Sequence, residues 1–151
     1  CQLELVIESI CWPPTGKRGV GFSRANLFGE HFSDYLKEAQ SPIVVAQIEH
    51  IDAVDNLQEI LEVPGLDAIF IGPYDLSASM GLMAQFEHPE YQAAISKILS
   101  LSKKAQIPAG IHVVSPQPSE LERTIEQGYR FIAYSIDAVF LNNAAKLPAI
   151  D

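Results

Sequence analysis

Four short apolar runs alternate with segments of helical periodicity, and this alternation restricts the possible folds more than any other feature of the sequence. The runs cover residues 43–48, 67–71, 109–114 and 130–135. Helices are predicted over residues 1–10, 30–40, 51–61, 89–104, 118–127 and 137–147, with a glycine-punctuated loop over 17–29. Strands that are apolar throughout are typical of a parallel α/β sheet covered by helices. Four such strand–helix units fit either a small doubly wound sheet or half of an eight-stranded barrel, and periodicity alone does not choose between them.

The composition is that of a globular chain without a basic surface. Apolar residues make up 48% of the 151 residues, and the net charge of −9 argues against a nucleic-acid groove or an acidic membrane surface as partner. No apolar run approaches the roughly 20 residues of a membrane helix. The two cysteines, Cys1 and Cys11, suggest neither a disulfide framework nor a zinc site, so a reducing cytoplasm is the expected location. The chain begins like a helix already under way, without an initiating Met, so we expect it to be a fragment.

Two acidic residues follow the first two predicted strands, at the edge where parallel α/β folds gather their reactive groups. Glu49 comes directly after the first strand, and Asp75 follows the Gly72-Pro73 that ends the second. Because adjacent strands lie about 4.8 Å apart, both carboxylates can reach one hard divalent cation, with water and substrate oxygens completing its shell. Two simpler interpretations stay open here: Glu49 as a solvated residue before the next helix, and Asp75 as the N-cap of a short helix over 76–78.

A set of motifs extends over most of the chain. They are Pro13-Pro14-x-Gly16-x-Arg18-Gly19-Val20-Gly21, Arg24-Ala25-Asn26, Gln47-Ile48-Glu49, residues 65–77 (GLDAIFIGPYDLS), Met80-Gly81 and His88-Pro89. In this combination, which is highly specific, the sequence resembles the HpcH/HpaI aldolase family from Pro13 to about Ala145. Members of that family include 4-hydroxy-2-oxoheptanedioate aldolase and 2-dehydro-3-deoxyglucarate aldolase.

The resemblance implies a (β/α)8 TIM barrel, of which residues 1–151 are the C-terminal half with the last four strand–helix units. It implies a class II pyruvate aldolase that cleaves a 4-hydroxy-2-oxo acid to pyruvate and an aldehyde. Glu49 and Asp75 would hold Mg²⁺, Mn²⁺ or Co²⁺, while Gln47 and the backbone around Tyr74 and Asp75 would contact pyruvate. The family's catalytic His, its partner acid and its Arg lie in the first half of the barrel, so no catalytic residue is assigned here. A homo-oligomer, commonly a hexamer, is also implied.

Three positions differ from the family pattern. His112 lies in the third predicted strand, where the family often has an apolar residue on the aldehyde side. It is either a packed, hydrogen-bonded histidine or a contact to the acceptor aldehyde. Ser135 stands where the family usually has Gly, which affects how the last strand approaches the substrate. Tyr74 replaces a residue that is often small, so a narrower site is expected. Ser115-Pro116 is a candidate substrate lid.

Other polar residues are interpreted as structural. His50 and His88, the latter in a His-Pro turn, are expected to be structural, His31 to lie at the surface, Asp137 to cap the last helix, and Arg18 to make loop or subunit contacts. The lysines fall in predicted loops or helices and not at strand ends, so no lysine is suited to form a Schiff base.

Two other functions stay open. A citrate-lyase-β-like enzyme acting on an acyl-CoA thioester would share the barrel and the paired acids. A basic patch for the CoA phosphates would favour it, and none is evident in the sequence. The second alternative is a truncated half-barrel without catalysis of its own, which would expose two strand edges.

Overall fold

A computed structural model describes residues 2–145 and contains a parallel sheet with helices between its strands. The strands are β1 (Val45–Ile48), β2 (Ala68–Ile71), β3 (Ala109–Val113) and β4 (Phe131–Tyr134). The helices are α1 (Gln2–Ile10), α2 (Phe32–Glu38), α3 (Ile51–Asp55), α4 (Leu57–Leu61), α5 (Pro73–Ser79), α6 (Pro89–Ala105), α7 (Pro118–Glu126) and α8 (Asp137–Ala144). All four predicted strands are confirmed, with ends that differ by one or two residues.

The strands follow one another across the sheet in the order β1-β2-β3-β4, and every pair is parallel. A doubly wound sheet reverses its strand order at a switch point, whereas a barrel adds each strand beside the previous one. The uninterrupted order is therefore that of half a (β/α)8 barrel, and it resolves the choice that periodicity left open. In this sheet β1 and β4 are the edge strands.

The hydrophobic core lies between one face of the sheet and the helices that follow β1 and β2. Ile69 and Ile71 of β2 are fully buried there, with Leu57 of α4 and Ile98 of α6 in the same cluster. The buried residues of α6 recur every three or four positions, at Tyr91, Ala94, Ile98 and Ser102, which gives this helix one face for the core. Among residues 2–145, no helix is both long and apolar enough to span a bilayer.

The opposite face of the sheet is more exposed and has an aromatic pair at its centre. The rings of Phe70 and Phe131 meet edge to face, with centroids 5.8 Å apart, and Phe131 is 44% exposed. Gly110 lies between the two rings. A larger residue does not fit there, because a Cβ would be only 2.8 Å from each ring. In a (β/α)8 fold this is the face that points to the barrel axis.

Several helix predictions need correction. The helix predicted over 51–61 is two short helices, because Asn56 has non-helical backbone angles and separates α3 from α4. Asp137 is the first residue of α8 and not its cap: Ile136 is the N-cap, and the Asp137 carboxylate accepts from the amide of Ala138 at 2.7 Å. The end of that predicted helix, residues 146–147, lies outside the described residues.

The glycine-punctuated loop before α2 contains a short 3-10 segment, Arg24–Gly29, organised by one buried amide. Asn26 is fully buried; its Oδ1 accepts from the amides of Ser23 and Gly29, and its Nδ2 donates to the carbonyl of Gly21. Asn26 therefore has a structural role that accounts for its place in the Arg24-Ala25-Asn26 motif. As expected of a loop contact, Arg18 donates to the Tyr35 hydroxyl at 2.9 Å.

We expect the 151-residue chain in isolation to self-associate. Its sheet has two edge strands with unpaired backbone groups and an aromatic pair on a partly uncovered face, and both features favour association. Sedimentation velocity over a range of protein concentrations would measure this, with species larger than the monomer as the expected result. A monodisperse monomer with a sharp, cooperative unfolding transition would contradict it.

Candidate metal and substrate site

The carboxyl ends of the strands place two of the predicted site residues, Glu49 and His112, in one row. The last residues of β1 and β2 pair with each other, and Ile71 pairs with Ile111 of β3. The residues that follow, Glu49, Gly72 and His112, are thus side by side, and His112 pairs in turn with Ala133 of β4. Side chains alternate between faces along a strand, so this row shares the face of Phe70 and Phe131, one layer nearer the carboxyl ends.

Glu49 is held in place by its two neighbours in space. Gln47 donates a hydrogen bond of 2.5 Å from Nε2 to Oε2 of Glu49. On the other side Gly72 leaves room for the acid: a Cβ at Gly72 would lie 2.9 Å from Glu49 Cβ and 3.1 Å from Oε2. The half-buried Glu49 side chain therefore leans over a position without a side chain, and Gln47 orients its carboxylate. The interpretation of Glu49 as a freely solvated residue is not supported.

Asp75 lies in the first turn of α5 and is not an N-cap. The N-cap is Gly72, Pro73 is the first helical residue, and the helix begins three residues earlier than the capping interpretation required. The Asp75 carboxylate is exposed and makes no hydrogen bond or ion pair with any other residue in the described part of the chain. The exposed Asp75 carboxylate, in the first turn of α5, is therefore accessible to a cation.

Serines fix α5 to the segment that follows β1. Ser79 Oγ accepts from the amide of Ile51 at 3.0 Å and donates to the carbonyl of Leu76. Ser77 is fully buried; its Oγ donates to the carbonyl of Tyr74 and accepts from the amide of Ala84. The Ser79 bond connects the start of α3, two residues after Glu49, with the helix that carries Asp75, and the Ser77 bonds fix that helix to the segment that follows it. The two acidic residues are therefore on segments whose relative position is constrained.

The Tyr74 side chain lies along the surface of the protein. Its ring is 61% exposed and meets Phe86 edge to face at 5.1 Å between centroids. Phe86 in turn contacts the buried Tyr91 of α6. The Tyr74 side chain is thus anchored to the segment between α5 and α6, while its backbone lies in the first turn of α5 beside Asp75.

His112 and Ser135 connect β3 to the end of β4. The His112 Nε2 lies 3.2 Å from the carbonyl oxygen of Ser135, and the side chain is half-buried. Ser135 has a φ of 57°, in the left-handed region that glycine adopts freely, so the serine keeps the backbone shape that the family's glycine permits. Its amide donates to the carbonyl of Val113 at 2.7 Å and its Oγ to that of Val114 at 2.9 Å.

The donor set at this edge suits a hard divalent cation that keeps open positions. Among residues 2–145, no three His, Cys, Asp or Glu side chains are arranged to enclose a metal ion. Two carboxylates without a third protein ligand are typical of Mg²⁺ and related ions, which retain water and substrate oxygens in their shell. Glu49 and Asp75 fit such an ion, and the side chains near them would leave its remaining positions to ligands from solution.

Sequence reasoning missed two contributions to this site. Gly72 was interpreted only as the end of a strand, yet its missing side chain makes room for Glu49. Ser77, the last residue of a recognised motif, and Ser79, two residues after it, were given no role, yet their hydrogen bonds position α5. The expected structural roles of His50 and His88 are confirmed, since each is the N-cap of a helix and its ring accepts from the backbone amide two residues later.

Fold and site together define a parallel α/β protein with an acidic pair at the carboxyl ends of neighbouring strands. The family model for HpcH/HpaI aldolase/citrate lyase matches residues 2–144. The chain therefore belongs to the HpcH/HpaI aldolase/citrate lyase family.

Named relatives agree with this assignment. The chain is 39% identical to the hydroxypyruvate/pyruvate aldolase of Sagittula stellata, over 95% of its own length and 56% of that protein. It is 40% identical to the 4-hydroxy-2-oxo-heptane-1,7-dioate aldolase of Shigella flexneri, over 96% and 54%. A crystal structure of a family member from Burkholderia cenocepacia superposes with a TM-score of 0.83 at 33% identity, covering 94% of this chain and 56% of the other. The chain thus spans about half the length of the curated relatives it matches.

We expect Gly72→Ala to weaken metal binding. The new Cβ would lie 2.9 Å from Glu49 Cβ, so the acid must move; Gly72 has a φ of −93°, so no backbone strain is added. Displacing a ligand in this way costs about 10- to 100-fold in metal affinity. Titration calorimetry with Mn²⁺ on the whole protein would measure it. Gly19→Ala is the matched control, because a Cβ there meets nothing within 4 Å. Equal Mn²⁺ affinity in the two variants would show that Glu49 is not a ligand.

We expect Ser135→Gly to be more stable than Ser135→Ala. Both variants lose the hydroxyl that bonds Val114, but only alanine keeps a Cβ at a φ of 57°. The left-handed conformation costs a non-glycine residue about 1 kcal/mol, and the difference in unfolding free energy should be of that size. Urea denaturation of the two variants measures the difference. If alanine were as stable as glycine, the left-handed backbone at this position would be refuted.

Proposed function

We propose that the whole protein is a divalent-metal-dependent pyruvate aldolase, which cleaves a 4-hydroxy-2-oxo acid to pyruvate and an aldehyde. The observation that carries this proposal is the geometry around Gly72: Glu49 leans over it and is oriented by Gln47, while the accessible Asp75 lies in the helix that begins there. The aldolase names of the two relatives described above support the same reaction class. Both are about twice as long as this chain, so the proposal concerns the whole protein.

Glu49 and Asp75 are the proposed ligands of Mg²⁺, Mn²⁺ or Co²⁺. When bound, such an ion draws electron density from the keto oxygen and carboxylate of the oxo acid and so stabilises the enolate form of pyruvate. Gln47 would hold the Glu49 carboxylate in its ligating orientation through their 2.5 Å hydrogen bond. A residue that orients a ligand in this way usually matters for affinity as well as geometry.

The remaining proposed contacts position the substrate. The amides of Tyr74 and Asp75 belong to the first turn of α5, where backbone N–H groups have no acceptor inside the helix. They would donate to the carboxylate of the oxo acid. His112 lies on the same face, separated from Glu49 by Gly72, and would contact the aldehyde portion. In the retro-aldol direction the 4-hydroxyl loses its proton, the C3–C4 bond breaks, and its electron pair remains on C3, which is then protonated to give pyruvate. We assign the base to no residue of this chain.

The setting proposed for the protein follows from its charge and cysteine content. The acidic net charge of −9 favours small-molecule partners over nucleic acid or an acidic membrane surface. The cytoplasm is the proposed compartment, since Cys11 is a buried free thiol. A homo-oligomer is the proposed assembly of the whole protein, as its family membership implies.

Pyruvate release tests this function. The whole protein, supplied with Mn²⁺ and several 4-hydroxy-2-oxo acids, should release pyruvate from at least one of them; EDTA should abolish release, and added Mn²⁺ should restore it. Glu49→Gln and Asp75→Asn should each lower the activity by more than the roughly 100-fold that loss of an orienting residue can cost. Glu59→Gln, an exposed acid on α4, is the control and should leave the rate unchanged. Release that survives EDTA, or full activity in the Glu49 and Asp75 variants, would disprove the proposal.

A further inference from the structure

The hydrogen bond between His112 and Ser135 fixes which ring nitrogen carries the proton. The Nε2 of His112 lies 3.2 Å from the Ser135 carbonyl oxygen. A carbonyl oxygen only accepts, so Nε2 must be the N–H donor. In a neutral imidazole the other nitrogen is then unprotonated and carries a lone pair. The Nδ1 of His112 is therefore a hydrogen-bond acceptor.

The Ser135 carbonyl is itself held in place, so this tautomer is set by the backbone. Ser135 is 8% exposed, and its amide and hydroxyl both donate to the end of β3, to the carbonyls of Val113 and Val114. Its left-handed φ of 57° completes the turn out of β4. The residue whose carbonyl lies next to His112 is thus itself held at two points.

The acceptor nitrogen belongs to a side chain on the row of the proposed site. His112 and Glu49 flank Gly72, which has no side chain. Their backbones are two strand spacings apart, which is roughly 10 Å. In the layer below, Phe70 and Phe131 are the residues nearest His112, and Gln47 lies below Glu49. No other residue in the described part of the chain forms a hydrogen bond with Nδ1. A ligand over Gly72 thus meets a carboxylate on one side and an imidazole on the other.

We propose that His112 selects acceptor aldehydes that carry a hydroxyl group, whose O–H donates to Nδ1. This inference rests on the proposed aldolase function and names the class of its second substrate. An aldehyde with a methyl group in place of the hydroxyl would cover Nδ1 without satisfying it, and a buried acceptor without a donor is destabilised. The same nitrogen gives no attraction to a plain carboxylate, since both would offer lone pairs.

Paired acceptors of equal size test the proposal in the direction of aldol addition. The whole protein would be assayed with pyruvate and either glycolaldehyde or propanal, which differ by a hydroxyl against a methyl group, and the ratio of the two kcat/KM values recorded. The wild type should prefer glycolaldehyde, and His112→Leu should lower that ratio by about two- to twelvefold, the value of one hydrogen bond. His112→Gln can donate to the Ser135 carbonyl and still offer an oxygen, so it should retain part of the preference.

Two controls separate this inference from the function on which it rests. Ile111→Val changes the neighbouring residue on the opposite face of β3 and should leave the ratio as in the wild type. Metal-dependent exchange of the pyruvate methyl protons in D₂O, followed by NMR without any aldehyde, reports the pyruvate half of the site alone. Intact exchange with an unchanged ratio in His112→Leu would overturn the role of His112 and leave the aldolase standing. If the wild type shows no exchange, both the aldolase function and the role of His112 are overturned. If the exchange rate falls in His112→Leu, His112 acts on the pyruvate side, and the proposal that it selects the acceptor aldehyde is refuted.

Discussion

The absence of a side chain at Gly72 is the constraint on which the rest of the site depends. Parallel pairing places this residue between Glu49 and His112, and the space it leaves is the space into which the Glu49 side chain leans. A Cβ at Gly72 would lie 2.9 Å from Glu49 Cβ, so the acid would have to move. Gly72 also caps α5, so the same residue ends the strand, starts the helix that carries Asp75 and leaves room between the two flanking strands. One small residue thus couples the backbone path to the chemistry of the site.

The motif around Asp75 combines functional and structural residues. Pro73 starts the helix, because its fixed φ and missing N–H suit the first helical position. The hydroxyls of Ser77 and Ser79 form hydrogen bonds with backbone groups of α5 and of the neighbouring segments. Asp75 is the member of the motif whose polar side chain is left without a partner in the described structure. A residue whose neighbours are all used for architecture, while its own carboxylate faces solvent, is where a ligand is expected to bind.

The sequence predicted the four strands well and the helices less well, for identifiable reasons. Apolar β-branched runs mark buried parallel strands clearly, and the carboxyl ends of such strands follow directly from them. The break at Asn56 leaves the apolar spacing of α3 and α4 almost intact, so periodicity does not reveal it. The start of α5 depends on Gly72 and Pro73, which sequence rules interpret as a turn. The contact between Gly72 and Glu49 joins residues from different strands, and only the register brings them together. No local pattern could have predicted it.

Ser135 shows why a departure from a family pattern need not change the backbone. A serine with a φ of 57° carries a penalty that glycine avoids, and here two hydrogen bonds from the same residue to the end of β3 offset it. The carbonyl of the same residue accepts the hydrogen bond from His112 Nε2. Ser135, with its left-handed backbone, and His112 in the neighbouring strand therefore form one connected structure. A glycine would keep the turn but lose the hydroxyl anchor, leaving the carbonyl freer to turn and the imidazole freer to change its tautomer.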